Sequence, residues 1–439
     1  MSRPIVAVVG RPNVGKSTFF NRIAGKRISI VEDTPGVTRD RIYADAEWCG
    51  HNFTLIDTGG IELKSEDIMW RHIRAQAELA MDIADVILFI VDGRVGLVSD
   101  DYDVADFLRM SKKPVVLAVN KLDNGKMDDI YDFYALGLGE PIGISAEQAL
   151  NLGDLLDEVC SHFPKVEAEE ETDVFRIAVV GKPNAGKSSL VNKILGFDRV
   201  IVSDIAGTTR DAVDTPFTVN GKKYCIVDTA GIRKKSKVTE DVEYYSVVRS
   251  IEAIRRADAV AVVLDASEPV SEQDIKICGL VHESNKPSVI VVNKWDKIEK
   301  DTFTQEGYKA TLNEELKFMS YYQPVFISAL TGKRVQQVLT SLETVYENAS
   351  RQVPTGVLND VMQDAMSVNE PPNYNGKKLR VYYTTQTMTN PPTFTLFVND
   401  EKIMHFSYKR YLENALRKAF DFSGTPIRIR VRNRKNEEI

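Results

Sequence analysis

One octapeptide pattern occurs twice in this chain, and its spacing constrains the fold more than any other feature. GRPNVGKS begins at Gly10 and GKPNAGKS begins at Gly181. The same offset carries GVTRD at Gly36 onto GTTRD at Gly207, and DTGG at Asp57 onto DTAG at Asp228. Later elements drift: NKLD at Asn120 meets NKWD at Asn293 at a slightly longer offset, and Ser145-Ala146 meets Ser328-Ala329 at a longer one still. The second copy therefore carries an insertion after Asp296. A period this long marks duplicated whole domains, because solenoid repeats run only to about 20–50 residues.

Within each copy short Val- and Ile-rich runs alternate with helix-length amphipathic segments. The runs Ile5–Val9, Phe53–Ile56, Val86–Val91 and Val115–Val119 have counterparts at Ile177–Val180, Tyr224–Val227, Val260–Leu264 and Val289–Val292. Such runs read as strands buried on both faces. Segments such as Ile68–Asp82 and Val242–Arg256 repeat their apolar residues at helical spacing. The expected fold is α/β, with two mostly parallel sheets carrying helices on both faces. The first domain is predicted over residues 1–163, an acidic linker over 164–173, and the second domain over 174–349. Residues 350–439 read helix (Val357–Met366), strand (Leu379–Thr384), strand (Phe394–Val398), helix (Tyr408–Phe420) and strand (Ile427–Arg432), with Pro391-Pro392 turning between the first two strands.

Charge is unevenly spread. The whole chain stands at −7, yet Gly376–Ile439 holds 13 Lys and Arg against 6 Asp and Glu, which leaves the remainder at −14. A basic terminal domain on an acidic body suits a polyanionic partner, or is a solvated basic face; charge alone leaves both open. Four cysteines, Cys49, Cys160, Cys225 and Cys278, form no metal-finger or disulfide pattern, so a reducing compartment is expected. The opening MSRPIVAVVG runs straight into a strand, leaving no room for a signal peptide. No run approaches the roughly 20 apolar residues of a membrane span. A cytoplasmic monomer without membrane contact is the expectation.

Each octapeptide fits G-x-x-x-x-G-K-[ST] between a strand and a helix. Gly10 and Gly15, like Gly181 and Gly186, let the backbone wrap its N–H groups around phosphate oxygens, and the helix N-terminus adds its positive dipole end. Lys16 and Lys187 reach the β- and γ-phosphates, while Ser17 and Ser188 offer a hydroxyl to Mg²⁺. Thr18 and Ser189 follow in the same helix turns and are counted with the sites. Asp57 and Asp228 can hold Mg²⁺ through water, and Gly60 and Gly231 can present an amide to the γ-phosphate. Thr38 and Thr209 would ligate Mg²⁺ only while that phosphate is present, ordering their loops as switches; solvated turn residues are the alternative. N-K-x-D selects the base. Asp123 and Asp296 can accept from guanine N1–H and its exocyclic amine, a donor pair adenine lacks. Asn120 and Asn293 can bond the base and tie loops together, Lys121 and Lys294 lie over the ring, and Ser145-Ala146 and Ser328-Ala329 can offer amides to guanine O6. GTP and GDP are the expected ligands.

On these motifs the chain resembles the Der (EngA) family, bacterial GTPases with two Era/TrmE-like G domains and a C-terminal KH-like domain, over essentially its whole length. The resemblance implies a part in maturing the large ribosomal subunit, with ribosomal RNA and subunit proteins as partners; whether an activating protein joins them is left open. It also implies that Asn13 and Asn184 help hold a potassium ion, which would offset charge beside the β–γ bridge; an Asn that only braces its loop is the alternative. Two features depart from familiar patterns. Ile61 and Ile232 stand where Ras-type enzymes place a water-orienting Gln, so unaided turnover is expected to be slow. Arg39 and Arg210 read as serving the switch loops and not as arginine fingers. The terminal domain lacks the G-x-x-G loop of ordinary KH domains. Arg428, Arg430, Arg432, Arg434 and Lys435 remain candidates for RNA backbone, or for packing on a G domain. The leading expectation is a GTP-hydrolysing switch whose domains rearrange to control binding to pre-ribosomal particles. The alternatives are a GTPase partner of a tRNA-modifying enzyme and a GTP-gated RNA scaffold with one non-hydrolysing copy.

Overall fold

In the computed structural model, residues 4–24, 43–57, 84–123, 130–164, 174–197, 200–202, 214–228, 242–299, 304–371, 373–374 and 377–434 are described, together with Ala77, Ala80 and Met81. The chain divides into two units, one built mainly on residues up to Thr172 and one mainly from Asp173 onward.

The first unit runs β1 (Ile5–Val9), α1 (Lys16–Ala24), β2 (Tyr43–Trp48), β3 (His51–Asp57), β4 (Val86–Asp92), α2 (Ser99–Arg109), β5 (Val115–Asn120), β6 (Ile142–Gly143) and α3 (Leu152–Ser161). Its sheet has the order β2-β3-β1-β4-β5-β6, parallel except for β2. Every residue of β1 and β4 is buried. Unbroken apolar strands need cover on both faces. Phe19 and Phe20 of α1 and Leu152, Leu155 and Leu156 of α3 fill one face. Val104, Ala105 and Leu108 of α2, with Ala77 and Ala80, fill the other.

The second unit repeats the design. It contains β7 (Val174–Val180), α4 (Lys187–Leu195), β8 (Val200–Val202), β9 (Thr215–Val219), β10 (Lys222–Val227), α5 (Val242–Arg256), β11 (Ala259–Asp265), α6 (Glu272–Glu283), β12 (Ser288–Asn293), α7 (Thr304–Glu315), β13 (Pro324–Phe326) and α8 (Val335–Ser350). The sheet order is β13-β12-β11-β7-β10-β9-β8, with β8 and β9 antiparallel additions at one edge. The insertion expected after Asp296 includes α7 and the 3₁₀ turn Lys317–Met319, where the described residues of the first copy hold the turn Tyr131–Leu136. The helix expected over Val242–Arg256 is present at those bounds. The one expected over Ile68–Asp82, and the acidic stretch Glu167–Asp173, fall almost wholly outside the described residues.

The same unit ends in a smaller domain: α9 (Thr355–Val368), β14 (Asn373–Tyr374), β15 (Lys377–Lys378), β16 (Val381–Met388), β17 (Thr393–Val398), α10 (Phe406–Ala419) and β18 (Arg428–Asn433). Strands β16, β17 and β18 form one sheet, with β17 and β18 parallel. Leu358 and Met362 of α9 and Leu412 and Leu416 of α10 pack on Phe394, Leu396 and Ile429. The first strand begins later than expected and runs on through Thr384-Thr-Gln-Thr to Met388. Those polar residues read as a strand end, but β17 pairs with them as far as Met388. Leu379, predicted to open the strand, lies in the core ahead of it.

This domain is locked onto the second G-type domain by the loop Phe422–Thr425. Ser288 N–H, at the start of β12, donates to the Gly424 carbonyl (2.8 Å), and Gly424 N–H donates to the Tyr321 carbonyl (2.7 Å). The Thr425 hydroxyl donates to the Val345 carbonyl (2.8 Å) and Asn348 to the Ser423 carbonyl (3.1 Å). Arg417 of α10 lies 4.8 Å over the Tyr321 ring. Tyr321 in turn touches the imidazole of His282, whose pKa burial lowers to about 4.

Candidate nucleotide sites

Both phosphate loops join the C-terminal end of the central strand to the following helix, where ligands of open α/β sheets gather. Gly15 and Gly186 share φ +98°, and a Cβ on either would collide with the amide of Asn120 or Asn293. No side chain fits there, so the loop closes only on glycine. Asn13 and Asn184 take φ of 64° and 62°, in the left-handed region Asn tolerates best after glycine. The Lys16 ammonium donates to the carbonyls of Gly10 (2.6 Å) and Arg11 (2.8 Å). Lys187 donates likewise to Gly181 (2.7 Å) and Lys182 (2.8 Å). Burial pulls both lysines down to about 8, opposed by the charge of Asp57 for Lys16 and of Asp274 for Lys187. Thr18 and Ser189 are exposed in the first helical turns.

Ser17 Oγ donates to the buried Asp57 carboxylate at 3.1 Å. This puts two hard oxygen ligands together in the first site. In the second, Asp228 follows β10 with its backbone amide donating to Asp214 (3.1 Å), and Ser188 lies in the first turn of α4. Thr38, Gly60, Thr209 and Gly231 fall outside the described residues, as do Ile61, Ile232, Arg39 and Arg210.

The asparagine ties of the base end recur in both copies. Asn120 donates to the Val14 carbonyl (2.8 Å) and accepts from Ala146 N–H (2.9 Å). Asn293 donates to Ala185 (2.9 Å) and accepts from Ala329 N–H (3.0 Å). Each Asn thus ties three loops. The amides of Ser145 and Ser328 bond Leu150 and Lys333 (both 3.1 Å), so the amides expected to serve guanine O6 are all engaged in this structure. Lys121 and Lys294 are held by Asp92 and Asp265 at the ends of β4 and β11.

Several of these partners escaped sequence reasoning. Asp92 and Asp265 are separated by the same offset as the two N-K-x-D motifs, and that offset was the signal available. A second contact common to both copies joins the phosphate loop to the helix beyond β4 or β11. Arg11 Nε lies 3.3 Å from Asp101, and Lys182 lies 3.1 Å from Asp274 and 3.0 Å from Glu268. Both aspartates are buried in the first turn of their helix, accepting from the amides of Val98 (3.2 Å) and Ser271 (3.0 Å).

A doubled P-loop on a parallel sheet, each followed by an Asn-Lys-x-Asp turn beside the loop, defines a nucleotide-hydrolase class: tandem P-loop GTPases. The family described as "50S ribosome-binding GTPase" matches residues 5–121 and again 176–294. The family described as "KH-domain-like of EngA bacterial GTPase enzymes, C-terminal" matches residues 352–432. GTPase Der of Alkaliphilus oremlandii is 56% identical over 440 residues, covering 100% of both chains. GTPase Der of Clostridium tetani is 57% identical over 437 residues, covering 99% of this chain and 100% of the relative. The chain belongs to the GTPase Der family, and it is a GTPase. Among solved structures, a point variant of Era from Aquifex aeolicus bound to GDP.AlF4- aligns at 22% identity with a TM-score of 0.30, covering 60% of this chain and 93% of that one. Among the described residues, no helix is long and apolar enough to cross a membrane.

Proposed function

We propose that this GTPase is a switch in assembly of the large ribosomal subunit, with domains at residues 1–163, 174–349 and 350–439 around an acidic linker at 164–173. The observation that carries this reading is the hydrogen-bonded seating of a basic domain on β12, the strand that ends in the guanine motif of the second site. In each site the phosphate-loop amides and Lys16 or Lys187 would orient the triphosphate, while Asp123 or Asp296 would select guanine. Ser17, Asp57 and Thr38, with Ser188, Asp228 and Thr209 in the second copy, would hold Mg²⁺, whose preference for hard oxygen suits that set. The metal neutralises charge on the β- and γ-phosphates when bound. The side-chain amides of Asn13 and Asn184 are exposed without a hydrogen-bond partner among the described residues, leaving their oxygens open to a potassium ion.

The terminal sheet supports an RNA partner. Tyr383, Phe397 and Arg432 align across β16, β17 and β18, with the two rings stacked 4.3 Å apart. Arg430 and Arg434 are exposed near them, and Arg434 lies 5.1 Å over Tyr382. Bases stack on such rings while guanidinium groups meet phosphate. Arg428 is turned elsewhere, donating to Asn285 of the second G domain (2.9 Å), and Lys435 lies outside the described residues. The test is co-sedimentation with large ribosomal subunits. The GTP-loaded protein should pellet more completely than the GDP-loaded one, because a ligand shifts a conformational equilibrium only by its differential affinity for the two states. Equal pelleting in both states would refute the switch.

A further inference from the structure

The two base sites share a plan but not their electrostatics. In the first, both oxygens of the guanine-reading carboxylate are occupied: the Ser145 hydroxyl donates to Asp123 Oδ1, and the Arg94 guanidinium pairs with Oδ2. In the second, Asp296 is exposed with no partner among the described residues, although both serine hydroxyls accept from the amide three residues on, Gln148 for Ser145 and Thr331 for Ser328 (both 3.1 Å). The occupied Oδ2 traces to one position. Arg94 and Ser267 correspond at the offset of the N-K-x-D motifs, each standing second after the aspartate that ends its strand. Both amides bond that aspartate at 2.9 Å, so the backbones match. Only the side chains diverge. Ser267 turns its hydroxyl back onto Asp265 (2.6 Å), whereas Arg94 reaches outward to Asp123.

We propose that Arg94 is an internal competitor for guanine in the first site, and that this residue makes the two sites unequal in guanine affinity. The inference rests on Asp123 and Asp296 being the guanine acceptors. One guanidinium nitrogen of Arg94 meets Oδ2, and the guanidinium's fork of N–H donors suits it to a carboxylate. Guanine N1–H and its exocyclic amine offer the same kind of donor pair. Both sets of donors draw on the same carboxylate, so base entry competes with Arg94 for Asp123, and departing base lets Arg94 return in full. Arg94 is 63% exposed and Asp123 14%. Its hold is therefore that of a partly screened ion pair, and relieving it is worth a few-fold in affinity. A further consequence is salt dependence. Screening weakens Arg94 more than it weakens base hydrogen bonds.

The experiment uses full-length protein and a fluorescent GDP, with Lys187→Ala silencing the second site or Lys16→Ala silencing the first. In the first site Arg94→Ser, which installs the second copy's residue, should tighten GDP about threefold, the scale of a partly exposed ion pair. That gain should shrink as sodium chloride rises. Arg94→Lys, keeping the charge without the fork, should fall between wild type and Arg94→Ser. In the second site Ser267→Arg should weaken GDP by a similar factor. Unchanged or weaker binding on Arg94→Ser, or a gain indifferent to salt, would overturn the proposal. ADP distinguishes the underlying assumption: a site that holds ADP as well as GDP refutes the guanine assignment itself, whereas retained guanine preference with no response to Arg94→Ser refutes only the competitor.

Discussion

Lys16 and Lys187 carry opposing demands at the scale of single residues. Each must be buried to meet phosphate at close range, yet burial lowers its pKa to about 8 from 10.5. A bound triphosphate favours the charged form and raises that value again. The sign follows: below pH 8 the free lysine is already protonated, while above it binding must take up a proton. GDP and GTP affinity should therefore fall as pH rises past about 8, and calorimetry near pH 8.5 in buffers of different ionisation heat should register proton uptake. Lys16→Ala and Lys187→Ala should each abolish that uptake at one site. At the base end, Asp296→Asn exchanges an acceptor for an amide that presents a donor toward guanine's own donors. Guanine nucleotide binding at the second site should weaken by at least about tenfold while xanthine nucleotides gain, measured by competition against a fluorescent analogue.

Among elements, the tie between phosphate loop and following helix is the contact to test. Asp101 sits at 1% exposure, where burial pushes its carboxyl up from 3.8; Arg11 supplies the charge that keeps such an anion tolerable. Removing one partner of a buried pair leaves the other uncompensated, while removing both does not. Arg11→Ala should thus destabilise the first unit by about 2 kcal/mol, discounted for the partly exposed guanidinium, and adding Asp101→Asn should recover most of the loss. Urea midpoints of the first unit's transition would show it. Most elements were legible because buried parallel strands write uninterrupted Val and Ile runs, as in β1, β4, β11 and β12. The polar half of β16 was not legible. Thr385, Gln386 and Thr387 hold a strand only because β17 supplies the hydrogen bonds, and pairing partners distant in sequence leave no local trace.

Across the whole molecule, the loop Phe422–Thr425 joins the terminal domain to the second G domain through Ser288, Tyr321, Val345 and Asn348. Gly424 adopts φ +70°, and a Cβ there would collide with Val345. Gly424→Ala should weaken the docking by about 1–3 kcal/mol. The readout is earlier proteolytic release of a terminal fragment, with GDP binding at the first site unchanged. Coupling between domains on this route would run along β12, from Ser288 under the terminal domain to Asn293 at the base. The sequence by itself determined the duplication, the nucleotide class and the candidate residues for phosphate and base, because backbone wrapping and base selection demand fixed residue types at fixed short spacings. Only the tertiary structure decided that Asp92 holds Lys121, that Asp101 faces Arg11, that Arg94 reaches Asp123 where Ser267 turns away, and that Arg428 serves the domain interface. These pairings join ordinary charged residues far apart in the chain. Coulombic attraction depends on distance in space, and that distance exists only after the sheet has formed.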